Sequence, residues 1–265
     1  MQKTRVGVVS FLNALPLWLA LQHEPDLELV PDTPARLADM MAQGRLDIAL
    51  LPVIEALRQP GLTFYPDLGI SADGEVESVG LFTRQDLPEI KSVVLSSASR
   101  TSNALARILA PQAKFERAEV SPEQLDARPE DAVLLIGDDC LRARKLGHDR
   151  VYIDLAAEWR ILTNLPFVFA VWAGPPAALT PALHKRLRDA LTEGRELVHD
   201  VIRYAAMDTG WTEAELGRYV SEVIIHELTT GARKGLLEFT RRAVEIGEVP
   251  KSAVDKVLDV IRAGP

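Results

Sequence analysis

The sequence predicts an α/β protein of two lobes, with the second α/β lobe inserted into the first and a helical segment at the end of the chain. Two observations support this prediction. Short apolar strands alternate with helices twice in series, over residues 6–57 and 92–155, and only helical periodicity follows residue 173. Such alternation is typical of sheets of mainly parallel strands whose crossovers are helices.

The first α/β unit begins with an apolar, β-branched run at residues 6–9, which is typical of a buried parallel strand. A helix is expected next, with Pro16 in its first turn. Residues 27–30 and 47–51 supply the second and third strands. The helix between them, over residues 34–43, has a capping threonine before it and a glycine after it.

The second unit has the same rhythm. Its strands are expected at residues 92–95, 115–120, 131–136 and 151–155, with helices between them. Two further apolar strands flank this unit, at residues 78–83 and 167–173. We interpret these as crossings between the lobes.

This interpretation assigns residues 1–83 plus 174–265 to lobe one and residues 84–173 to lobe two. Thr180 and Pro181 start the helices that return to lobe one. A ligand cleft is expected between the lobes, because the carboxyl ends of the strands in both units point toward it.

Composition and charge narrow the function classes. The 265 residues carry a formal net charge of −8, which argues against a nucleic-acid partner. The single cysteine, Cys140, has no histidine at metal-ligand spacing, so we expect neither a metal nor an organic cofactor. No apolar run is long enough for a membrane span and no secretory signal is evident, so we expect no membrane partner and a cytoplasmic location. A homodimer is left open.

Polar residues after the first strand are the first candidates for a ligand site. Ser10 and Asn13 lie where ligands bind in open α/β sheets. A following helix would add unpaired N–H groups and a partial positive charge. The alternative is that Asn13 is an ordinary loop or cap residue.

A hydroxyl-rich loop before the helix at residues 103–109 is the strongest local signal. Hydroxyls and free N–H groups at a helix start form an anion site, so we expect this loop to bind a carboxylate. Plain helix capping would explain one of its hydroxyls. The residues singled out are Ser99, Arg100, Thr101 and Ser102.

Three more residues lie near expected strand ends or crossings. Gly137 and Asp138 follow a buried strand, and Asp138 either caps the next helix or orients a ligand hydroxyl. Ser78 begins the first crossing strand and faces either the cleft or the interior of a lobe. No histidine is expected to act as a catalytic base.

An ordered set of motifs resembles the chorismate dehydratase family, whose members catalyse the first step of the futalosine route to menaquinone. The motifs are Ser-Phe-Leu-Asn-Ala-Leu-Pro (10–16), Asp-Thr-Pro (32–34), Gly-Arg-Leu-Asp-Ile-Ala (44–49), Ser-Arg-Thr-Ser (99–102), Leu-Ile-Gly-Asp (135–138) and Leu-Pro-Phe-Val-Phe-Ala-Val-Trp (165–172).

The resemblance implies the fold of type II periplasmic binding proteins and a lyase that removes water from chorismate, a small dicarboxylate. The product is 3-[(1-carboxyvinyl)oxy]benzoate. It implies catalytic roles for Asn13 and Ser78, and substrate binding by the loop from Ser99 to Ser102. Ser10, Gly137 and Asp138 are further candidates for substrate binding because of their places at expected strand ends.

The chain departs from the family pattern at two positions. Asn164 stands where a glycine is usual, and asparagine is the residue best able to replace glycine in a left-handed turn. Val53 stands where a small hydroxyl residue is frequent, which argues against a hydroxyl contact there.

Two other function classes remain open at this point. One is a non-catalytic binding protein for a small carboxylate, and the other is the related 1,4-dihydroxy-6-naphthoate synthase, whose first loop has a different pattern. A regulator's effector domain is disfavoured, because no helix-turn-helix precedes the α/β units.

Overall fold

The computed structural model describes residues 3–264. Met1, Gln2 and Pro265, which end the predicted lobe one, lie outside the described residues. Two β-sheets organise this part of the chain, and each forms the centre of one lobe. The two-lobed α/β architecture predicted from the sequence is therefore confirmed.

The six-stranded sheet forms the centre of lobe one. Its strands are β1 (Thr4–Val9), β2 (Leu27–Asp32), β3 (Ile48–Pro52), β4 (Thr63–Ala72), β10 (Phe167–Gly174) and β11 (Ile225–Glu227), hydrogen-bonded in the order β11-β4-β10-β3-β1-β2. The first three strands are parallel, whereas β10 runs antiparallel to both β3 and β4.

The five-stranded sheet forms the centre of lobe two. Its strands are β5 (Val79–Thr83), β6 (Ser92–Ser96), β7 (Lys114–Ala118), β8 (Ala132–Ile136) and β9 (Val151–Asp154), in the order β7-β6-β8-β5-β9. Strand β5 runs antiparallel to both of its neighbours, β8 and β9.

Helices cover both sheets. They are α1 (Pro34–Ala42), α2 (Val53–Arg58), α3 (Thr101–Leu109), α4 (Gly137–Lys145), α5 (Leu155–Thr163), α6 (Pro181–Thr209), α7 (Glu213–Arg218), α8 (Thr230–Glu245) and α9 (Ser252–Ala263). Among residues 3–264, no helix combines the length and the apolarity that crossing a membrane requires.

The apolar runs of the sequence form the core. Every residue of β3, β8 and β10 is buried, which explains why these strands are continuously apolar rather than alternating. Trp159, Phe167 and Phe239 pack edge to face between α5, β10 and α8. Helix α8 thus packs against the six-stranded sheet.

The strands at the lobe boundaries differ from the crossing strands that were expected. Val79–Thr83 pairs only within the five-stranded sheet, and Phe167–Gly174 only within the six-stranded sheet. The chain therefore changes lobe just before β5 and just before β10. We propose boundaries near residues 73–78 and 164–166, instead of at 83 and 173. Asn164 has a φ of +57° at the second crossing, so it adopts the left-handed conformation that was expected.

The helix expected after β1 is replaced by two short 3₁₀ helices, Leu12–Leu17 and Leu19–His23. Every residue of the first is buried, so this segment lacks the polar face of a surface α-helix. Helix α6 crosses directly behind it. Gly194 of α6 permits this approach, because a Cβ there would lie 2.2 Å from the carbonyl oxygen of Pro16.

The expectation that only helices follow residue 173 is also wrong. A π-helix, Tyr219–Val223, continues α7 and leads into β11 at the edge of the six-stranded sheet. Three residues are too few to show the alternation that identifies a strand in a sequence.

Gly194→Ala is expected to lower the free energy of unfolding by about 1–3 kcal/mol, the usual cost of forcing extra atoms into a packed interior. Urea unfolding measures the effect. Gly217→Ala is the matched control, because a Cβ at that helical glycine meets nothing within 4 Å. We expect the control to gain up to about 1 kcal/mol from helix propensity. Equal effects of the two changes would contradict the packing of α6 against Pro16.

Candidate active site

A cavity lies between the two lobes, where the loops after β1, β6 and β8 meet. The space between its walls, part of which is open to solvent, is about 490 Å³. Its wall is mostly apolar, with a few polar groups at defined points, which is the usual composition of a site for a small organic ligand. The lining residues are Val9, Phe11, Asn13, Pro34, Pro52, Ile70, Val76, Val79, Ser99, Thr101, Ser102, Ile136, Gly137, Phe169 and Ala170.

Asn13 lies in the first 3₁₀ helix, and its side chain reaches this cavity. The residue is 8% exposed, and its Oδ1 is buried without a hydrogen-bond partner in the described structure. Leaving a buried acceptor unpaired costs about 1–3 kcal/mol. An acceptor that lines a cavity can recover this cost by receiving a hydrogen bond from a ligand.

The backbone around Asn13 is held from behind by lobe one. The Nε2 atom of His226 lies 2.8 Å from the Asn13 carbonyl oxygen. Because a carbonyl only accepts, Nε2 carries the proton and donates. Burial lowers the pKa of His226 to about 4, so the imidazole is neutral at pH 7. The ring therefore acts as an uncharged hydrogen-bond donor that fixes the backbone of Asn13, and not as a base.

Lobe two holds the same turn from the other side. The N–H of Leu12 donates to Oδ1 of Asp138 at 3.1 Å. Gly137 has a φ of +60°, and a Cβ there would lie 2.7 Å from the ring of Phe11, so glycine permits the close contact of the two lobes. Burial raises the pKa of Asp138 to about 6, and the neighbouring Asp139 acts in the same direction.

The hydroxyl-rich loop forms the opposite wall. Ser99 Oγ accepts a hydrogen bond from the N–H of Ser102 at 3.2 Å, and Thr101 Oγ1 accepts one from the N–H of Ile54 at 3.4 Å. The second bond joins lobe two to the start of α2 in lobe one. Asn103 braces the loop by donating to the carbonyl oxygens of Ser96 and Ser99 at 2.9 and 2.7 Å.

Ser78 is fully buried behind the cavity wall, at the end of the first crossing between lobes. Its Oγ accepts a hydrogen bond from the phenol of Tyr219 at 2.7 Å. The preceding residue, Glu77, is buried and has a φ of +64°, which is uncommon for a residue with a side chain. Both Glu77 and Val76 donate their N–H groups to Oδ2 of Asp154, which holds this conformation.

The structure thus brings together part of the expected set. Asn13, Ser99, Thr101, Ser102 and Gly137 line the cavity. Ser78 and Asp138 are not among the lining residues. Ser78 is hydrogen-bonded to Tyr219, and Asp138 is hydrogen-bonded to Leu12, the residue before Asn13. The other two expected residues are not among those that line the cavity: Ser10 is exposed, and Arg100 pairs with Asp39 on α1 at 2.8 Å.

Three residues that contact the site were not expected from the sequence. Tyr219 and His226 come from the segment interpreted there as a plain helix, and Asn103 was expected only as the start of α3. Tyr219 and His226 are distant in sequence from the residues that they bind, Ser78 and Asn13. Asn103 lies within an ordinary helical pattern. Asn103 alone carried a signal, since a polar residue in the first turn of a helix often bonds the loop before it.

The lining carries no Asp, Glu or His among the residues described, and no group of three His, Cys, Asp or Glu side chains within residues 3–264 is placed to hold a metal ion. The site is therefore built from amide, hydroxyl and backbone groups. Such groups can orient and polarise a ligand without exchanging protons at neutral pH.

Solved structures of similar shape define the fold. The chain superposes on a protein of Archaeoglobus fulgidus with a TM-score of 0.74 and 16% identity, covering 93% of this chain and 98% of that one. It superposes on the periplasmic aliphatic sulphonate binding protein of Escherichia coli with a TM-score of 0.66 and 13% identity, covering 97% and 91%. The fold is thus that of two-lobed periplasmic binding proteins, with the cavity in the cleft.

Sequence comparison places the chain more narrowly. A family model described as menaquinone biosynthesis matches residues 4–245. The chorismate dehydratase of Thermus thermophilus is 33% identical over 72% of this chain and 79% of its own, and that of Campylobacter jejuni is 26% identical over 89% and 95%. The chain belongs to the menaquinone biosynthesis family, the family of the chorismate dehydratases.

Asp138→Asn is expected to stabilise the protein at high pH. A carboxyl group whose pKa is about 6 in the folded state and near 3.8 when unfolded favours folding less and less as pH rises from 4 to 6. The asparagine keeps an oxygen for the Leu12 N–H but cannot ionise. Relative to wild type, it should therefore gain about 2–3 kcal/mol more at pH 8 than at pH 4.

Urea unfolding at the two pH values measures this difference. Asp86→Asn, which changes an exposed carboxylate, is the control and should have the same small effect at both. Neutralisation of His226, whose folded pKa is about 4, adds stability over the same pH range. It cancels when the two proteins are compared. A pH-independent effect of Asp138→Asn would contradict the burial of this carboxyl group.

Proposed function

We propose that this protein removes water from chorismate to give 3-[(1-carboxyvinyl)oxy]benzoate, as a lyase of menaquinone biosynthesis. The observation that carries the proposal is Asn13, which lines the cavity between the two lobes and whose buried Oδ1 has no hydrogen-bond partner in the described structure. An acceptor in that position suits a ligand hydroxyl group. Family membership supports the same reaction, because the named relatives are chorismate dehydratases.

The reaction asks for orientation more than for strong acids and bases. The C–O bond of the ring hydroxyl breaks, and so does the C–H bond on the neighbouring ring carbon. The electrons of that C–H bond complete an aromatic ring, and the hydroxide and the proton leave as water. Because aromatisation drives the step downhill, fixing the reactive conformer can supply much of the catalysis, up to about 7–11 kcal/mol in favourable cases.

Asn13 is the proposed catalytic residue. We assign its Oδ1 to the hydrogen of the ring hydroxyl, which would hold the C–O bond in the orientation required for cleavage. We assign proton removal to the carboxylate of the substrate's own enolpyruvyl group, which is attached to the carbon that loses its proton. The cavity lining supports this assignment, since its described residues include no carboxylate or imidazole.

We propose that Ser99, Thr101 and Ser102 bind a carboxylate of the substrate. All three residues line the cavity at the start of α3, and their hydroxyls can donate hydrogen bonds to an anion there. Gly137 shapes the wall and Asp138 holds the Asn13 turn. Ser78 is assigned a catalytic role, with its hydroxyl held by Tyr219. Ser10 and Arg100 have no direct part in this assignment, because neither is among the residues that line the cavity.

The remaining parts of the proposal concern partners and location. A net charge of −8 supports a small-molecule substrate rather than a nucleic acid. A biosynthetic enzyme works where its substrate is made, which favours the cytoplasm. A non-catalytic binding protein is the second candidate, because a cavity with no acid or base in its described lining also suits simple capture of a carboxylate.

Chorismate incubated with the purified protein and a chelator separates these candidates. Ultraviolet absorbance and mass spectrometry should show an aromatic product that has lost one water. Unchanged chorismate with a raised melting temperature would support the binding protein instead. Neither product nor shift would contradict chorismate as the ligand.

Asn13→Ala is expected to lower kcat about 100-fold or more, because the hydroxyl would lose its orienting partner. Steady-state kinetics with chorismate measure this loss. Ser71→Ala is the control: Ser71 is buried in β4 and its Oγ donates to the carbonyl oxygen of Ile225 at 3.0 Å. The control should lose stability and keep kcat. An Asn13→Ala variant with nearly normal kcat would remove Asn13 from the mechanism.

A further inference from the structure

The segment from Arg218 to His226 contacts the site at successive points although it lies more than 130 residues from the crossing at Glu77. It contains a π-helix at Tyr219–Val223, between the α-helix α7 and the strand β11. Single π-helical turns are rare and occur frequently at functional sites. This one begins at Tyr219, the residue that contacts Ser78.

Two consecutive residues of this segment bind two consecutive residues of the crossing between lobes. The Arg218 guanidinium pairs with the Glu77 carboxylate at 2.5 Å, and the Tyr219 phenol donates to Ser78 Oγ at 2.7 Å. Glu77 is the residue with the uncommon φ of +64°. Side-chain contacts at both positions thus fix the backbone and the hydroxyl of the crossing where it meets the cavity wall.

The Tyr219 hydroxyl is a permanent donor. Tyr219 and Ser78 are both completely buried. Burial holds the pKa of Tyr219 well above its ordinary value of 10, while the adjacent Ser78 hydroxyl and Asn13 amide act in the opposite direction. The phenol therefore keeps its proton throughout the neutral range and lies beside both side chains proposed to be catalytic.

The hydrogen-bonding capacity of the phenol sets the orientation of its neighbours. A phenol donates one hydrogen bond, and here Ser78 Oγ receives it. Its oxygen is then free to accept from the amide nitrogen of Asn13. This orientation turns the Asn13 nitrogen to Tyr219 and leaves Oδ1 as the buried atom without a partner.

We propose that Tyr219 is a positioning residue for the dehydration, which holds the Ser78 hydroxyl and the Asn13 amide in their reactive orientations. This inference rests on the proposed function. It assigns to the C-terminal segment a part in catalysis beyond packing. Tyr219 acts through Ser78 and Asn13 and does not itself line the cavity.

Tyr219→Phe removes the donor and keeps the ring. We expect kcat for chorismate to fall about 10- to 100-fold, as misplaced catalytic groups typically cause, while KM changes less than about threefold. The melting temperature should fall by only a few degrees. Tyr65→Phe is the matched control, because the Tyr65 hydroxyl also donates to one partner, the carbonyl oxygen of Thr180, at 2.7 Å in a mostly buried position. The control should lose similar stability and keep kcat.

A double-mutant comparison with Ser78→Ala separates positioning from packing. If Tyr219 acts partly through Ser78, Tyr219→Phe should lower kcat by a smaller factor in the Ser78→Ala protein than in the wild type, and the remaining loss is the part that acts through Asn13. Fully multiplied losses would overturn the proposal, as would an unchanged kcat in Tyr219→Phe. Should Tyr219→Phe fail to fold, 4-fluorophenylalanine at position 219 fills the hydroxyl's space without a donor, and the same loss of kcat is expected.

The activity of the wild-type protein in the same assay tests the proposed function itself, separately from the role of Tyr219. A wild type that leaves chorismate unchanged would end the proposed function and, with it, the role of Tyr219. An active wild type together with a fully active Tyr219→Phe would end the role of Tyr219 alone. The two failures are therefore distinguishable.

Discussion

The short turn that carries Asn13 is anchored through its main chain, and the geometry of the site depends on this anchoring. His226 donates to the Asn13 carbonyl oxygen, Asp138 accepts from the Leu12 N–H, and Gly194 lets α6 pack directly on Pro16. The first and third contacts come from lobe one and the second from lobe two. Because the backbone is fixed from several directions, the Asn13 side chain is oriented before any ligand arrives, which lowers the reorganisation that catalysis requires.

The described lining of the cleft has no charged side chain, and this determines how it can attract an anion. An acidic protein with a net charge of −8 repels a dianion at long range, so attraction must come from local dipoles. The described lining supplies hydroxyl, amide and backbone groups, and burial keeps His226 neutral by lowering its pKa to about 4. In a site of low dielectric constant these neutral hydrogen bonds are stronger than they would be in water.

Much of the fold could be predicted from the sequence, because it depends on local signals. Buried parallel strands, the Thr-Pro starts of α1 and α6, and a polar loop before α3 each have a pattern within a few residues. The sheet to which β5 and β10 belong has no such pattern. Each lies between two strands of its sheet, β5 between β8 and β9 and β10 between β4 and β3, and the periodicity of an apolar run carries no information on its partners.

The residues of the candidate site could be predicted from the sequence about as well as the fold. Asn13 and the loop from Ser99 to Ser102 lie at strand ends, so topology alone places them in the cleft. Tyr219 and His226 reach the site from a π-helix and an edge strand of three residues, neither of which has a recognisable period. The place of Arg100 in the Ser-Arg-Thr-Ser motif gave no indication that Asp39 of α1 would pair with it.

A crystal structure of the Ser78→Ala protein with chorismate bound is the most direct test of the central claim, that the unpaired oxygen of Asn13 holds the reacting hydroxyl. We expect the ring hydroxyl within about 3 Å of Asn13 Oδ1, the distance of an ordinary O–H···O hydrogen bond. A substrate carboxylate should lie against the loop from Ser99 to Ser102. Chorismate bound outside this cavity, or bound inside it with Asn13 facing only its apolar ring edge, would contradict the claim.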